Sequence, residues 1–378
     1  MNSICNRPEF SSTSFSFVLK DTSKSQYISK AYKQNVYVAP CYMKSPSLQI
    51  SPNFAHIMWR CGWQNDDNAY DLVLAWVQIL KRLDPHYVFI DYAPSAAVAA
   101  KLLDIPYLFL GNGFEFPPAE SPFPSILHNQ KVARKDLLHW YNKVNKTLRV
   151  VCKKFSKTIE QFDLKDIFEP QKGLILAHPM LDHYLNRQIQ IFYLPTLTQV
   201  NSETKNVNND LFSNKPYLFV YLNANTPNLV ESIRMLSAQF RIEGYIPNLN
   251  LAQRNALRFI GVSISDVPVP VSNIIAKSQI VICHCGIGVV SHAIDSAVPM
   301  VLLPTQTEQS MLAHTLCKLG VAISIPKAAS SHQFVNTVNL AIKNREIMQA
   351  NIRTQSNKYW ENRLIWKEGI GTYIKEYF

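Results

Sequence analysis

The sequence predicts an α/β protein built from two doubly wound domains. Short and almost continuously apolar segments alternate with segments of helical periodicity, a pattern typical of parallel strands covered on both faces by helices. The alternation runs through the first half of the chain and begins again after a polar stretch, Thr198–Lys215. With 378 residues, the chain is long enough for two domains, each with its own core.

The first half alternates strands and helices in the order expected of a parallel sheet. Phe15–Leu19, Val36–Pro40, Tyr87–Asp91 and Tyr107–Gly111 are predicted strands, and Asp71–Leu83 and residues 95–103 are predicted helices. Asp91 is notable because it places a carboxylate at the end of an apolar strand.

The second half repeats the pattern without repeating the sequence. The predicted strands are Tyr217–Tyr221, Arg258–Val262, Ile280–Cys283 and Met300–Leu303, and the predicted helices are Leu229–Phe240, Val289–Ser296 and Gln355–Phe378. We therefore expect an N-terminal domain over residues 1–200 and a second domain over 201–354. The helical segment 355–378 is predicted to pack back on the first domain.

The net charge of +11 is concentrated in one amphipathic segment, residues 131–157. Its apolar residues recur at steps of three and four, so it predicts a helix. One interpretation is a core-facing apolar stripe with a solvated basic back. The other is attraction of the basic face to an anionic membrane surface or a lipid-linked acceptor. Nucleic acid is not expected as a partner, because no RNA-binding or helix-turn-helix motif accompanies the charge.

Composition limits the cellular setting. No stretch reaches the roughly 18 apolar residues of a membrane span, and the first residues lack the pattern of a secretion signal. The seven cysteines follow no disulfide framework, which favours a reducing cytoplasm. We expect a cytoplasmic protein that can contact the inner face of the membrane. Cys283 and Cys285 flank a histidine at a spacing unlike that of zinc sites, so no metal is expected.

The segment His284–Pro299 predicts an anion-binding turn. Gly286 and Gly288 fall between a predicted strand and a predicted helix, where the absence of a Cβ allows close approach of a ligand and unusual backbone dihedrals. A helix N-terminus offers unpaired N–H groups and the positive end of the helix dipole to a phosphate. His284, at the strand end, could donate a further hydrogen bond to a diphosphate. Such turns also serve simple chain reversal, so the pattern alone leaves both roles open.

Several segments together resemble the UDP-glycosyltransferase superfamily of GT-B fold, including bacterial family 1 enzymes. In the second half these are HCG at 284–286, AVPM at 297–300, VLLPTQTEQ at 301–309 and LGV at 319–321. In the first half they are VFIDYAP at 88–94, DIP at 104–106, GNGFEFPP at 111–118 and LDHY at 181–184. The resemblance implies two Rossmann-like domains facing each other across a cleft.

The resemblance also implies the roles of individual residues. The donor diphosphate would contact His284, Gly286, Ile287, Gly288 and Val289. The donor sugar would contact Glu308 and Gln309. The nucleoside would contact Val267, Pro268 and His292, and the loop Asn223, Ala224 and Asn225 would border the phosphates. Asp91 matches the carboxylate that orients the catalytic base in family 1. It could act alone as base, or it could be an ordinary polar residue at a strand end.

The implied reaction is direct displacement at the anomeric carbon of a UDP- or dTDP-linked hexose, with inversion and without a metal. The sugar nucleotide is a substrate, so no cofactor is implied. The acceptor would be a small-molecule or lipid-linked hydroxyl compound.

Three departures from the family pattern bear on activity. His292 stands where a ribose-binding Glu is common, and Ala297 replaces a Gly. The family's first strand, with the Gly-rich loop that carries the base, has no counterpart, because Phe15–Leu19 corresponds to its second strand. We therefore expect weak or absent glycosyl transfer, with donor binding retained.

Two other functions remain open. The first is a degenerate relative that binds sugar nucleotides without catalysis. The second is a sugar-nucleotide epimerase of the same fold, which is disfavoured because no set of acidic residues in the second domain is placed for elimination.

Overall fold

The chain forms two compact units. The computed structural model describes residues 10–28, 35–43, 50–128, 130–157, 162–169, 172–184, 187, 190–193 and 215–360. In the first unit these are the described residues up to 176 and from 184 to 193, and in the second they are 177–183 and 215–360. The predicted domain boundary at residue 200 and the predicted helical residues 361–378 lie outside the described residues, as does the crossing segment except Lys215.

Among its described residues, the first unit contains six strands, which form two sheets. The strands are β1 (Phe17–Leu19), β2 (Val36–Val38), β3 (Val88–Ile90), β4 (Tyr107–Gly111), β5 (Lys172–Ile175) and β6 (Gln190–Tyr193). β1 pairs with β2 in a two-stranded sheet, and the other four form a sheet in the order β3-β4-β5-β6. Every pairing is parallel, as the sequence predicts.

The helices of the first unit follow from local capping and apolar periodicity. They are α1 (Phe54–Met58), continued by a π-helical turn at Trp59–Trp63, α2 (Asp66–Leu83), α3 (Pro94–Leu102) and α4 (Arg134–Lys154). α2 begins five residues before the predicted start because the Asn65 side chain accepts from the backbone N–H groups of Asp67 and Asn68. It ends at Asp84, whose left-handed backbone (φ 44°) stops the helix.

α4 is the predicted amphipathic helix, and its apolar side is covered by its own unit. Tyr141, Val144 and Leu148 on this side are buried, whereas Lys146 and Arg149 on the opposite side are exposed. This confirms the core-facing apolar stripe with a basic back. Any contact of α4 with a membrane would therefore have to be electrostatic, because the apolar side is not available for insertion.

The second unit contains one continuous six-stranded parallel sheet. Its strands are β7 (Tyr217–Tyr221), β8 (Arg241–Tyr245), β9 (Ser263–Ser265), β10 (Ile280–Cys283), β11 (Met300–Leu302) and β12 (Ala322–Ser324). They lie in the order β12-β11-β10-β7-β8-β9. This is the doubly wound order, in which the chain starts in the middle and proceeds first to one edge and then to the other.

Seven α-helices accompany this sheet in the described part of the unit. They are α5 (Leu229–Ser237), α6 (Leu251–Phe259), α7 (Val271–Ile275), α8 (Ile287–Asp295), α9 (Thr307–Lys318), α10 (Ser331–Lys343) and α11 (Arg345–Trp360). One buried cluster joins side chains of the inner strands, such as Leu218, Ile282 and Val301, with α5 and α10.

The predicted strand Arg258–Val262 is wrong. Arg258 and Phe259 end α6, which starts at a capping box formed by Asn250 and Gln253. The observed strand begins directly after the predicted segment, at Ser263–Ser265. β8 was not predicted, because the charged residues Arg241 and Glu243 interrupt its apolar pattern.

Candidate functional site

The second unit has a topological switch point between β7 and β10. From these two neighbouring strands the chain proceeds to opposite edges of the sheet, so the loops that follow them separate and leave a crevice at their carboxyl ends. The loop after β7 contains Asn223–Asn225, and the turn after β10 contains His284. Two of the predicted phosphate-binding segments therefore lie next to each other.

His284 links three loops at this end of the sheet. The backbone N–H of Asn223 donates to His284 Nε2 at 2.8 Å. Nε2 is therefore the unprotonated nitrogen, and Nδ1–H donates to the carbonyl of Leu303, also at 2.8 Å. In this arrangement neither ring nitrogen has an N–H left for a phosphate. A direct phosphate contact through Nε2 requires protonation of that nitrogen and release of the Asn223 N–H.

In the turn after β10, the residue with a left-handed backbone is a cysteine and not a glycine. Cys285 has a left-handed backbone (φ 67°), whereas Gly286 has the ordinary dihedrals φ −70° and ψ 133°, and Gly288 lies in the first turn of α8. The prediction that the glycines adopt unusual dihedrals is therefore wrong. A Cβ added at either glycine would meet no atom within 4 Å. Open space therefore lies beside both glycines.

The N-terminus of α8 is suited to an anion. Gly286 is its N-cap residue and supplies no side-chain acceptor. The backbone N–H groups of Ile287, Gly288 and Val289 belong to the first turn, where a helix provides no acceptors of its own. With the positive end of the helix dipole, these groups can bind a phosphate.

The two predicted sugar-binding residues, Glu308 and Gln309, lie in the first turn of α9, directly after the loop that follows β11. Their side chains differ in surroundings. Gln309 Oε1 accepts from the backbone N–H of Thr305 at 2.9 Å and from its hydroxyl at 3.0 Å. This leaves the NH₂ group of Gln309 as the part able to donate to a ligand. Glu308, in the first turn of α9, is partly buried, and this burial raises the pKa of its carboxyl group.

His183 lies beside Glu308, with Nε2 3.8 Å from the Glu308 Oε1 atom. It comes from the segment Ala177–His183, which belongs to the second unit, and its side chain is fully buried. Sequence pattern alone assigns this histidine no role of its own, because it precedes Glu308 by more than a hundred residues. The Asp182-His183 pair directly after the apolar residues Pro179–Leu181 is the signal that could have indicated it.

The residues predicted to bind the nucleoside differ in accessibility. Val267 and Pro268 lie in an exposed loop after β9, where the Ser265 hydroxyl donates to the Val267 carbonyl at 2.7 Å and accepts from its N–H at 3.2 Å. The side chain of Asp266 in the same loop pairs with Arg254 and Arg258 of α6. His292, in contrast, is only 7% exposed, and burial lowers its pKa.

The predicted catalytic residue Asp91 lies in the first unit, directly after β3. It is solvent-accessible, and the protein atoms around its carboxyl group still raise its pKa above the ordinary value by desolvation.

No helix in the described ranges has the length and apolarity needed to cross a membrane. Within the same ranges, no group of three His, Cys, Asp or Glu side chains is arranged to hold a metal ion.

The sequence matches no protein-family model and no curated protein, but the fold is similar to solved glycosyltransferases. The glycotransferase of kitacinnamycin superposes with a TM-score of 0.59 and 14% identity, over 92% of this chain and 89% of that one. CalG4, the calicheamicin glycosyltransferase, gives a TM-score of 0.57 at 16% identity with the same coverages. The spinosyn rhamnosyltransferase SpnG gives 0.54 at 15%, over 86% of this chain and 83% of that one.

SpnG has also been solved with spinosyn aglycone and with thymidine diphosphate, each structure giving a TM-score of 0.51 to this chain. These similarities confirm the predicted α/β fold of GT-B type. The proteins concerned are glycosyltransferases, in agreement with the resemblance drawn from the motifs.

Proposed function

We propose that the protein is a glycosyltransferase that moves a sugar from a nucleoside-diphosphate sugar to the hydroxyl group of a small-molecule acceptor. One observation carries the proposal: His284 joins the loops after β7 and β11 to the turn in front of α8, at the switch point of the second unit. That turn has open space at the N-terminus of a helix. The similarity in fold to glycosyltransferases supports the same function.

The donor would bind along these loops. Its diphosphate would accept from the backbone N–H groups at residues 286–289 and lie near the loop Asn223–Asn225. The sugar hydroxyls would bond to Glu308 and to the NH₂ group of Gln309, because a carboxylate accepts and an amide can donate. The loop at Val267 and Pro268 would meet the base, and His292 would lie toward the ribose.

In the proposed reaction, Asp91 accepts the proton of the acceptor hydroxyl. The hydroxyl oxygen forms a bond to the anomeric carbon, and the bond from that carbon to the diphosphate oxygen breaks. The electron pair leaves with the diphosphate, whose charge is stabilised by the dipole of α8 and by hydrogen bonds, without a metal. A single displacement inverts the anomeric carbon.

The donor would be a hexose linked to UDP or dTDP. The thymidine diphosphate complex of SpnG favours the dTDP form, and its aglycone complex favours a small-molecule acceptor. A lipid-linked acceptor would suit the basic back of α4, which could hold a cytoplasmic protein electrostatically at an anionic membrane surface.

The second candidate function is binding of sugar nucleotides without catalysis. The division of the first unit into two sheets favours it, because the unit proposed to hold the acceptor and Asp91 is the less continuous one. A donor-hydrolysis and transfer assay beside a nucleotide titration distinguishes the two functions.

The donor site is tested by His284→Ala. The variant removes the two neutral hydrogen bonds that join the neighbouring loops, so we expect the affinity for UDP or dTDP to fall by about 1–3 kcal/mol, roughly 5- to 150-fold. Isothermal titration calorimetry measures the change, with His332→Ala on the exposed face of α10 as the matched control. Equal affinities in the wild type, the control and His284→Ala would refute the site, provided that circular dichroism shows all three folded.

A further inference from the structure

Two acidic side chains meet at the carboxyl end of the sheet in the first unit. Asp91 directly follows β3, and Gly111 ends the neighbouring strand β4, with Ile90 opposite Phe109 in the parallel register. The loop after Gly111 carries Glu115. Of the two carboxyl groups, Asp91 is solvent-accessible, whereas Glu115 is only 4% exposed.

Gly111 gives the two carboxyl groups room to approach each other. Glu115 Oε1 lies 1.5 Å from the point that a Cβ on Gly111 would occupy, and Asp91 Oδ1 lies 3.2 Å from the same point. Glu115 Oε1 also accepts from the backbone N–H of Asn112 at 2.9 Å. Any side chain at position 111 would therefore displace the Glu115 carboxyl group.

The loop that holds Glu115 is fixed by hydrogen bonds on its other side. Arg187 donates to the carbonyls of Gly113 and Phe116, and the Tyr184 hydroxyl donates to the carbonyl of Phe114 at 3.2 Å. Among the described residues, Arg187 places a cation and Tyr184 a titratable group against the loop on this side, while Tyr92 follows Asp91 on the other. The position of Glu115 is thus determined by the fold.

We propose that Glu115 is a positioning residue that forms a carboxyl pair with Asp91 and shares the proton that Asp91 takes from the acceptor. The inference rests on the proposed function, in which Asp91 is the base. Two neighbouring carboxylates repel each other, and one shared proton relieves the repulsion, so the pair binds that proton more tightly than a single aspartate does. Desolvation of Asp91 acts in the same direction.

The carboxyl pair would make Asp91 a stronger base than a single aspartate. An ordinary aspartate, with a pKa of about 3.9, is a weak base toward an alcohol. As the acceptor oxygen bonds to the anomeric carbon, its proton passes to Asp91 Oδ1, and the electron pair of the breaking bond leaves with the diphosphate. Glu115 then shares the transferred proton without contacting the acceptor.

The test measures the proton affinity of Asp91 directly, by NMR titration of its ¹³C-labelled carboxyl group. Glu115→Gln should lower this affinity about tenfold or more, because it removes a like charge and keeps the side-chain shape. Gly111→Ala should lower it in the same direction by displacing the Glu115 carboxyl group. The exposed Glu120→Gln makes the same change of charge and should leave the titration unaltered.

An unaltered Asp91 titration in both Glu115→Gln and Gly111→Ala would refute the proposal that Glu115 shares a proton with Asp91. Because either variant alone could disturb the loop, the two are measured together, with amide spectra as the check of folding. The acid limb of the kcat profile is a second readout and should move to lower pH in Glu115→Gln. A shifted titration in a protein that transfers sugar from no nucleotide would support the pair and refute the proposed function.

Discussion

The two units use the same parallel architecture with different degrees of continuity. In the second unit, six strands form one sheet whose order reverses between β7 and β10, and the candidate donor site lies at that reversal. In the first unit, the six strands that the structure describes are divided between a pair and a group of four. In the described part of the chain, β1 is paired only with β2, and β3 only with β4.

The difference also appears in the cores. The inner strands of the second unit share one large buried cluster with their helices. Beside β1, the described members of the buried cluster are Phe17 and Ile28, with Phe15, Leu19 and Val36 partly buried against it. A parallel strand gains stability from partners on both edges and from cover on both faces. We therefore expect the second unit to be the more resistant to unfolding and proteolysis.

The largest expected effect separates chemistry from binding. Asp91→Asn should lower the rate of sugar transfer by about 10²- to 10⁴-fold, the usual contribution of a positioned base. Nucleotide affinity should not change, because the candidate donor residues belong to the second unit. Single-turnover kinetics and calorimetry measure the two quantities, and Asp71→Asn on the exposed side of α2 is the control. Transfer that continues at the wild-type rate in Asp91→Asn would exclude Asp91 as the base.

The next effect compares the cores by one substitution made in each unit. Phe219→Ala in β7 removes a fully buried ring and should cost about 3–5 kcal/mol, because the surrounding sheet cannot collapse into the cavity. Phe17→Ala in β1 should cost about 1.5–3 kcal/mol, close to the transfer term alone, because its cluster is small. Hydrogen exchange followed by mass spectrometry shows in which unit each loss of stability occurs. A larger loss of stability in Phe17→Ala than in Phe219→Ala would contradict the expected difference between the two cores.

A third effect should make the first unit sensitive to acid. His56 in α1 is 2% exposed and stacks on Trp140 with ring centroids 4.0 Å apart. Neither of its ring nitrogens has a hydrogen-bond partner among the described residues. Burial, followed by the charges of Arg60 and Lys143, lowers its pKa to about 4.

The sign of the effect follows from proton uptake. Between pH 6.5 and 4 an unfolded His56 binds a proton that the folded state does not, so stability is lost as the pH falls through this range. The full loss is on the order of 3 kcal/mol. His56→Phe, which keeps the stacking, should remove part of the acid sensitivity of the first unit. Urea unfolding at pH 7.5 and 4.5 tests this, and the same pH dependence in both proteins would contradict it.

Sequence reasoning succeeded best where a strand is buried on both faces. Tyr107–Gly111, Tyr217–Tyr221 and Ile280–Cys283 match the predicted strands residue for residue, because such strands must be apolar throughout. β8 escaped prediction, since only Ile242 and Gly244 in it are buried. Gly244 is required there, as a Cβ would lie 2.4 Å from the Val220 carbonyl oxygen.

The contacts within the candidate sites could not be predicted in the same way. The bond from Asn223 to His284 joins residues 61 positions apart, so the sequence pattern could not show that the histidine links two other loops to its own turn. Likewise, Glu115 meets Asp91 only because β3 and β4 are neighbours and Gly111 has no side chain. Local pattern identifies such residue types, but only the sheet order determines which of them meet.

The smallest expected effect concerns how the donor site in the second unit distinguishes the sugar from the nucleotide. In Gln309, Oε1 already accepts two hydrogen bonds from Thr305, so only the NH₂ group is available to a ligand. Gln309→Ala should weaken binding of the intact sugar nucleotide by about 0.5–1.5 kcal/mol, the value of one neutral hydrogen bond. Free UDP or dTDP lacks the sugar and should bind as in the wild type.

Gln309→Glu keeps the acceptor for Thr305 and loses the NH₂ group, so it separates sugar recognition from support of the loop. Calorimetry with both ligands on the wild type and both variants is the measurement. Gln309→Ala could lower the affinity for both ligands equally while Gln309→Glu binds both with wild-type affinity. Gln309 would then only support the loop after β11, and the sugar would be recognised by other residues.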